Sequence, residues 1–144
     1  MKIYIASDHR GIELKKYIIK KLNKIDIEDL GSFTKESVDY PDFAFKLGKK
    51  VVDEDTFGIA ICGSGIGISI ACNKVKKVRC AKVNTIKDAI ITRKDNDSNI
   101  VALSASINKD RAIRIIEEFI NTPFSNEERH IKRINKINEY ELKN

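Results

Sequence analysis

The 144-residue sequence has no tryptophan, two prolines, two histidines and three cysteines. Each shortage removes a class of protein. Cys62, Cys72 and Cys80 form neither a CxxC pair nor an even set, so no disulfide framework organises the chain. Two histidines without a Cys/His cluster give no reason to expect a metal site. No apolar run approaches the ~20 residues of a membrane-spanning helix, and no membrane partner is expected. Residues 1–6 give way to the polar Ser7-Asp8-His9-Arg10 too early for a signal peptide, so a cytoplasmic location is the expectation. Aromatic residues are 7% of the chain, too few to interleave with lysines as a stacking platform for single-stranded nucleic acid.

What is abundant is positive charge, a net +6. The lysines are scattered, with Lys15, Lys16, Lys20 and Lys21 on one segment and Lys46, Lys49 and Lys50 on the next. They read as solvated helix faces rather than a nucleic-acid footprint, and the balance suits a small anionic substrate. A 42% apolar share and the chain length fit a single domain spanning residues 1–144.

The chain is organised around Gly58–Lys74, GIAICGSGIGISIACNK. Gly58–Ile61 reads as a buried strand with Cys62 at its end. Gly63, Ser64, Gly65 and Gly67 form a tight loop, and Ile66–Lys74 reads as a helix. Such a loop turns free amides outward and binds anions, including an oxyanion formed during a reaction. A thiol at a helix N-terminus favours the thiolate. Taken alone, Cys62 reads as a small buried hydrophobe; the loop beside it turns the reading toward chemistry. The alternating glycines match neither the dinucleotide fingerprint nor the NTP-binding phosphate loop, which leaves a nucleotide-binding domain supported by fold alone.

Around this stretch, strands are expected at 2–6, 26–30, 79–83 and 99–103. Helices are expected at 12–23, 41–54, 85–93 and 108–121, and a last one runs to about residue 142. Leu14, Ile18 and Leu22 recur every four residues, and Phe43, Leu47 and Val51 do the same. Ser125 and Glu128 suggest a capping box for the last helix. The alternation predicts an α/β fold: a three-layer α/β/α sandwich with a five-stranded parallel sheet, order 2-1-3-4-5, Rossmann-like, plus a C-terminal helix. In that order strands one and three are neighbours, and the switch-point crevice collects Asp8, His9, Cys62, Ser64 and the loop amides. Tyr40, Asp95 and Asn96 are expected on loops at the same end of the sheet.

A thiolate base, a hydroxyl and an anion hole suit proton abstraction beside a carbonyl through an enediolate, which is aldose–ketose isomerisation. A positioned base contributes roughly 10²–10⁴-fold. Arg129 and Arg133 share a helical face and suit a phosphate, although surface pairing with acids is the commoner fate of such arginines. His130 gains weight only if that helix reaches a crevice, its own or that of a second subunit.

With these residues assembled, the chain resembles the type B ribose-5-phosphate isomerase and galactose-6-phosphate isomerase family. The resemblance rests on Ser7-Asp8-His9-Arg10-Gly11, Asp39-Tyr40-Pro41, Ile61 through Ser69, Asn73-Lys74, Asn96-Asp97-Ser98-Asn99, and Arg129-His130 with Arg133. It implies a cofactor-free homodimer, sometimes paired into a tetramer, with active sites at the subunit interface and a phosphorylated sugar as substrate. Cys62 is then the base that moves the proton between carbons one and two, and Ser64 the hydroxyl that shuttles the oxygen-bound proton. Amides from Gly63 through Gly65, Ile66 and Gly67 hold the enediolate. Asp8, Tyr40 and Asn96 contact hydroxyls, and His9, Arg129, His130 and Arg133 match phosphate positions. Asp95 stands where typical members carry a ring-opening histidine. Ser106 stands where an arginine is usual, with Lys109 and Arg111 nearby. Ribose 5-phosphate is the first-choice substrate. A tetrose or hexose phosphate, or a weakly active sugar-phosphate-binding subunit, are the alternatives these departures leave open.

Overall fold

The computed structural model describes residues 1–144. Five strands alternate with helices: β1 (Lys2–Ser7), α1 (Ile12–Lys21), β2 (Asp26–Asp29), α2 (Tyr40–Asp53), β3 (Gly58–Cys62), α3 (Ile66–Cys72), β4 (Cys80–Lys82), α4 (Ile86–Asn96), β5 (Ile100–Ser104), α5 (Lys109–Asn121) and α6 (Glu128–Lys143). A 3-10 turn, His9–Gly11, joins β1 to α1. All pairings are parallel. No helix is long and apolar enough to cross a membrane.

The α/β class and the parallel five-stranded sheet hold. The strand order is β2-β1-β3-β5-β4, so the last two positions of the expected order are exchanged. The reason lies in the strands themselves. Residues 100–103 of β5 are buried throughout, as a strand flanked on both sides requires. β4 is three residues long, partly exposed, preceded by Arg79 and ended by Lys82, which suits an edge. The chain therefore skips from β3 to the edge and returns to fill the gap.

Right-handed crossovers then decide the layers. Movement from β2 through β3 to β4 puts α2 and α3 on one face. Movement from β1 to β2, and back from β4 to β5, puts α1 and α4 on the other, where α5 joins them. Alternate strand residues serve the two layers. Ile3, Ile5, Ile59, Ile61, Val101 and Leu103 pack with Leu14, Ile18, Ile115 and Phe119. Tyr4, Ala6, Ala60, Ala102 and Ile100 pack with Ala44, Leu47, Val51 and Ile68. Small alanines beneath α2 and α3 let those two helices approach the sheet closely.

Two local expectations change. α6 begins at Glu128, with Glu127 as its N-cap and no side-chain cap bond, so Ser125 and Glu128 do not form a capping box. Ser125 Oγ instead accepts from the Glu127 N–H at 3.3 Å and bonds His130 Nδ1 at 2.8 Å. The reason is the backbone: Asn126 adopts φ +59°, which turns the chain before the helix starts. Asp95 and Asn96 are the last residues of α4 rather than a loop.

Candidate active site

β1, β3 and β5 deliver three chain segments to one edge of the sheet. Cys62 closes β3 opposite Ser104 of β5. Its carbonyl accepts from the Ala105 N–H at 2.9 Å, while Ser104 Oγ donates to the Gly63 carbonyl at 2.8 Å. Gly65 then turns the loop at φ +77°, and a Cβ there would stand 2.8 Å from the Leu103 carbonyl carbon. Both the left-handed conformation and the close backbone approach demand glycine. Ser64 Oγ accepts from the Ile66 N–H at 3.1 Å, leaving its own proton free to donate outward. Cys62 is 3% exposed and faces the α2–α3 layer. The loop thus sets a largely buried thiol directly behind an exposed hydroxyl.

Beside this loop lies the turn after β1. Asp8 is buried, ties its N–H to the Ile61 carbonyl at 3.1 Å, and accepts from the Arg10 N–H at 3.0 Å through Oδ1. Its Oδ2 makes no protein hydrogen bond. His9 Nδ1 accepts from the Val38 N–H at 3.2 Å, which places the ring proton of a neutral His9 on Nε2. Tyr40, the first residue of α2, lies over Gly67: a Cβ at Gly67 would meet Tyr40 Cζ at 2.6 Å. Arg10 lies over Gly63 in the same way, with its Cδ 2.9 Å from where a Cβ would be. Two glycines of the loop are therefore seats for two side chains from elsewhere.

Arg10 is a residue that the expected site omitted. Its guanidinium adds a positive charge at the loop amides. The available signal was its place within Ser7-Asp8-His9-Arg10, but its approach to Gly63 depends on tertiary packing. A cleft of about 530 Å³ opens on the opposite side of the loop, lined by Gly63, Ser64, Lys82, Asn84, Ser106 and Arg111 among others. Neither Lys82 nor Arg111 makes an ion pair, and no acid lines the cleft. Lys82 was also missed; it becomes a neighbour of this loop only through the order β3-β5-β4.

Cys62, Ser64, Asp8, His9, Tyr40, Gly63, Gly65, Ile66 and Gly67 are brought together. Asp95, Asn96, Arg129, His130 and Arg133 are not with them. α4 leaves the site edge and runs back antiparallel to the strands, so its end lies at the opposite edge of the sheet, roughly 16 Å away at about 3.3 Å per strand residue. There Arg79 Nε donates to the Asn96 carbonyl at 2.9 Å, and Asn96 Oδ1 accepts from Thr92 Oγ1 at 3.1 Å. α6 starts beside this point. Buried His130 presents Nε2 to Asp95 Oδ1 at 3.6 Å. Arg129 and Arg133 are exposed on the same helix, Arg129 paired at 3.1 Å with Glu127. The expectation that Asp95 and Asn96 share an edge with Cys62 in one chain is thus corrected, because residues that precede a parallel strand must lie at its N-terminal end.

A parallel sheet with an exposed hydroxyl and loop amides at its switch point, and a buried thiol and a buried carboxylate beside them, defines a class: an α/β protein with a candidate site for a small polar molecule. The comparison with known proteins sharpens this. The chain belongs to the ribose/galactose isomerase family, which matches residues 3–137. It is 36% identical to ribose-5-phosphate isomerase B of Mycolicibacterium paratuberculosis, with 98% of this chain and 92% of that one covered. Among solved structures, ribose-5-phosphate isomerase B of Clostridium thermocellum superposes with a TM-score of 0.94, at 41% identity and 99% coverage of both chains. The Mycoplasma genitalium enzyme, solved with ribulose 5-phosphate bound, gives a TM-score of 0.92 at 38% identity, covering 99% of this chain and 97% of that one.

Proposed function

We propose that the protein interconverts ribose 5-phosphate and ribulose 5-phosphate, with Cys62 as the base. The observation that carries this reading is the loop 62–67: a thiol at a strand end, a hydroxyl two residues on, and backbone held tight by Gly65. In the open-chain aldose, the Cys62 thiolate takes the proton from C2. The electron pair moves onto the carbonyl oxygen, giving an enediolate held by loop amides. Each donor to such an oxyanion contributes roughly 3–4 kcal/mol. Ser64 passes the hydroxyl proton from O2 to O1, and Cys62 returns its proton to C1. Every atom stays in the sugar, so no external oxidant or reductant is consumed. Asp8 Oδ2 and Tyr40 are placed to hold sugar hydroxyls, and His9 Nε2 to donate to the phosphate.

The site is completed by a second copy of the chain. Asp95, Asn96, Arg129, His130 and Arg133 sit at the far edge of their own sheet, and a two-fold dimer would bring the partner's set over the Cys62 loop. Ile66 and Ile70 on α3 are 57% and 58% exposed beside that loop, an apolar strip that such a partner would cover. Lys82 and Arg111 supply positive charge around Ser106, where an arginine is usual. Asp95, held against His130, favours a second reading in which the sugar is presented open, or is a tetrose or hexose phosphate.

The test is an isomerase assay over four-, five- and six-carbon aldose phosphates, with Cys62→Ala as control. We expect ketose to form fastest from ribose 5-phosphate. Cys62→Ala loses about 10³-fold or more in kcat with substrate affinity kept. Near-normal turnover in that variant removes Cys62 as the base.

A further inference from the structure

Lys15 is among the most deeply buried large residues of the chain, at 1% exposure. Lysines are almost never buried to this degree unless paired. This one is paired: Nζ lies 2.9 Å from Asp29 Oδ1, donates to the Ser32 carbonyl at 2.5 Å, and stands 5.3 Å from the Phe33 ring centre. Burial pushes its pKa below the usual lysine range; the Asp29 carboxylate opposes that shift and the charge of Lys16 adds to it. A buried pair of this kind is weak evidence for stability, since apolar residues of similar volume commonly replace one without loss. Its presence calls for a different account.

That account follows the bonds outward. Asp29 Oδ1 also accepts from the Gly31 N–H at 2.9 Å. The Ser7 N–H donates to the Gly31 carbonyl, and the Ser32 N–H donates to the Ser7 carbonyl, both at 2.7 Å. The segment that Lys15 grips is thereby laddered to the last residue of β1, immediately before Asp8 and His9. Beyond Ser32 the chain runs through exposed residues 33–37 to Val38, whose N–H holds His9 Nδ1, and then to Tyr40 on Gly67. Two arms leave the clamp, and both end in the site.

We propose that Lys15 is a positioning residue of the isomerase site: clamped between the Asp29 carboxylate and the Ser32 carbonyl, its ammonium fixes residues 29–32 so that His9 and Tyr40 meet the Cys62 loop. Lys15 touches none of the reacting groups. It acts through Ser7 on Asp8 and His9, and through the 32–40 segment on Tyr40. The inference rests on the isomerase reading above.

The test removes both charges at once, as Lys15→Met with Asp29→Leu, so that neither is left buried alone. A merely structural pair predicts unchanged kinetics. The positioning role predicts the reverse. Whatever the melting temperature does, kcat/KM falls about 10-fold to 10²-fold, mostly through KM. The His9 ring nitrogen resonances, assigned with a His130→Gln variant, lose the signature of an accepting Nδ1. An active, folded double variant with wild-type kcat/KM and an unshifted His9 ring overturns the proposal. If the double variant does not fold, Asp29→Asn takes its place, with KM expected to rise; unchanged kinetics there overturn it as well. Should the wild-type protein fail to isomerise any sugar phosphate, the functional reading falls, while the His9 resonances still report whether the clamp holds that ring.

Discussion

Tyr4 couples two titrations through one hydroxyl. Its ring is buried beneath α2, and its Oη donates to Glu54 Oε1 at 2.5 Å. That bond pushes the Tyr4 pKa up to about 12 from 10.0, with burial as the next cause. Between those values the folded state keeps a proton that the unfolded chain has lost, so stability falls as pH rises through that window. Tyr17, bonded to Asp110, shifts in the same direction. Tyr4→Phe isolates one share of the effect. It is less stable than the parent below pH 10, and the two converge as pH passes about 12, read as the difference in urea midpoint. The same scale explains what the sequence disclosed about the site. Cys62, Ser64 and Gly65 are legible because strand, tight turn and helix are local events that their own residue types demand. Arg10 on Gly63 and Tyr40 on Gly67 are not, because a glycine chosen to seat a distant side chain looks the same in sequence as one chosen for a turn.

The helices and strands show a parallel division. α1, α2 and α5 follow from their apolar periods. The order of β4 and β5 was misread, although Arg79-Cys80-Ala81-Lys82-Val83 carries edge charges and Ile100–Leu103 carries none. Less accessible was the joint that locks α4 in place. Arg93 is 6% exposed and sends Nε to the Thr122 carbonyl at 3.1 Å. Its Nη1 donates to the Ser98 carbonyl at 2.6 Å and to Asp97 Oδ1 at 2.9 Å. The guanidinium also stacks 4.8 Å from the Phe57 ring centre and 5.7 Å from that of Phe119. From sequence it is one charge on a helix whose polar residues give no clean stripe. In the fold it joins the end of α4, the end of α5 and the start of β5. Arg93→Met keeps the apolar contact but strands two carbonyls, while Asp97 keeps Arg79 at 3.5 Å. We expect a loss of roughly 2–4 kcal/mol in urea unfolding. Because α4 also carries Asp95 and Asn96, the variant should weaken substrate binding more than it alters the Cys62 loop.

Across the whole molecule the two groups of candidate residues stand at opposite ends of one sheet, and the proposed reading needs both. The Cys62 loop has a candidate base and amides, but only the Arg10 guanidinium as a nearby cation on its β1 side. The α4–α6 corner has Arg129, His130 and Arg133 but no base. In the proposed dimer a two-fold axis would meet both shortages at once, since one interface would present each half to the other twice. Mixing inactive variants tests this directly. Cys62→Ala spoils one half, and Arg129→Ala with Arg133→Ala spoils the other; the arginines are exposed, so their loss leaves the fold intact. Each homodimer is then inactive. After subunit exchange, half of the dimers are mixed, and each mixed dimer holds one site with both defects and one with neither. Recovered activity should approach about a quarter of the wild-type value at equal subunit concentration. A site contained within one chain predicts no recovery at any mixing ratio, and that outcome would return Arg129 and Arg133 to the solvated surface.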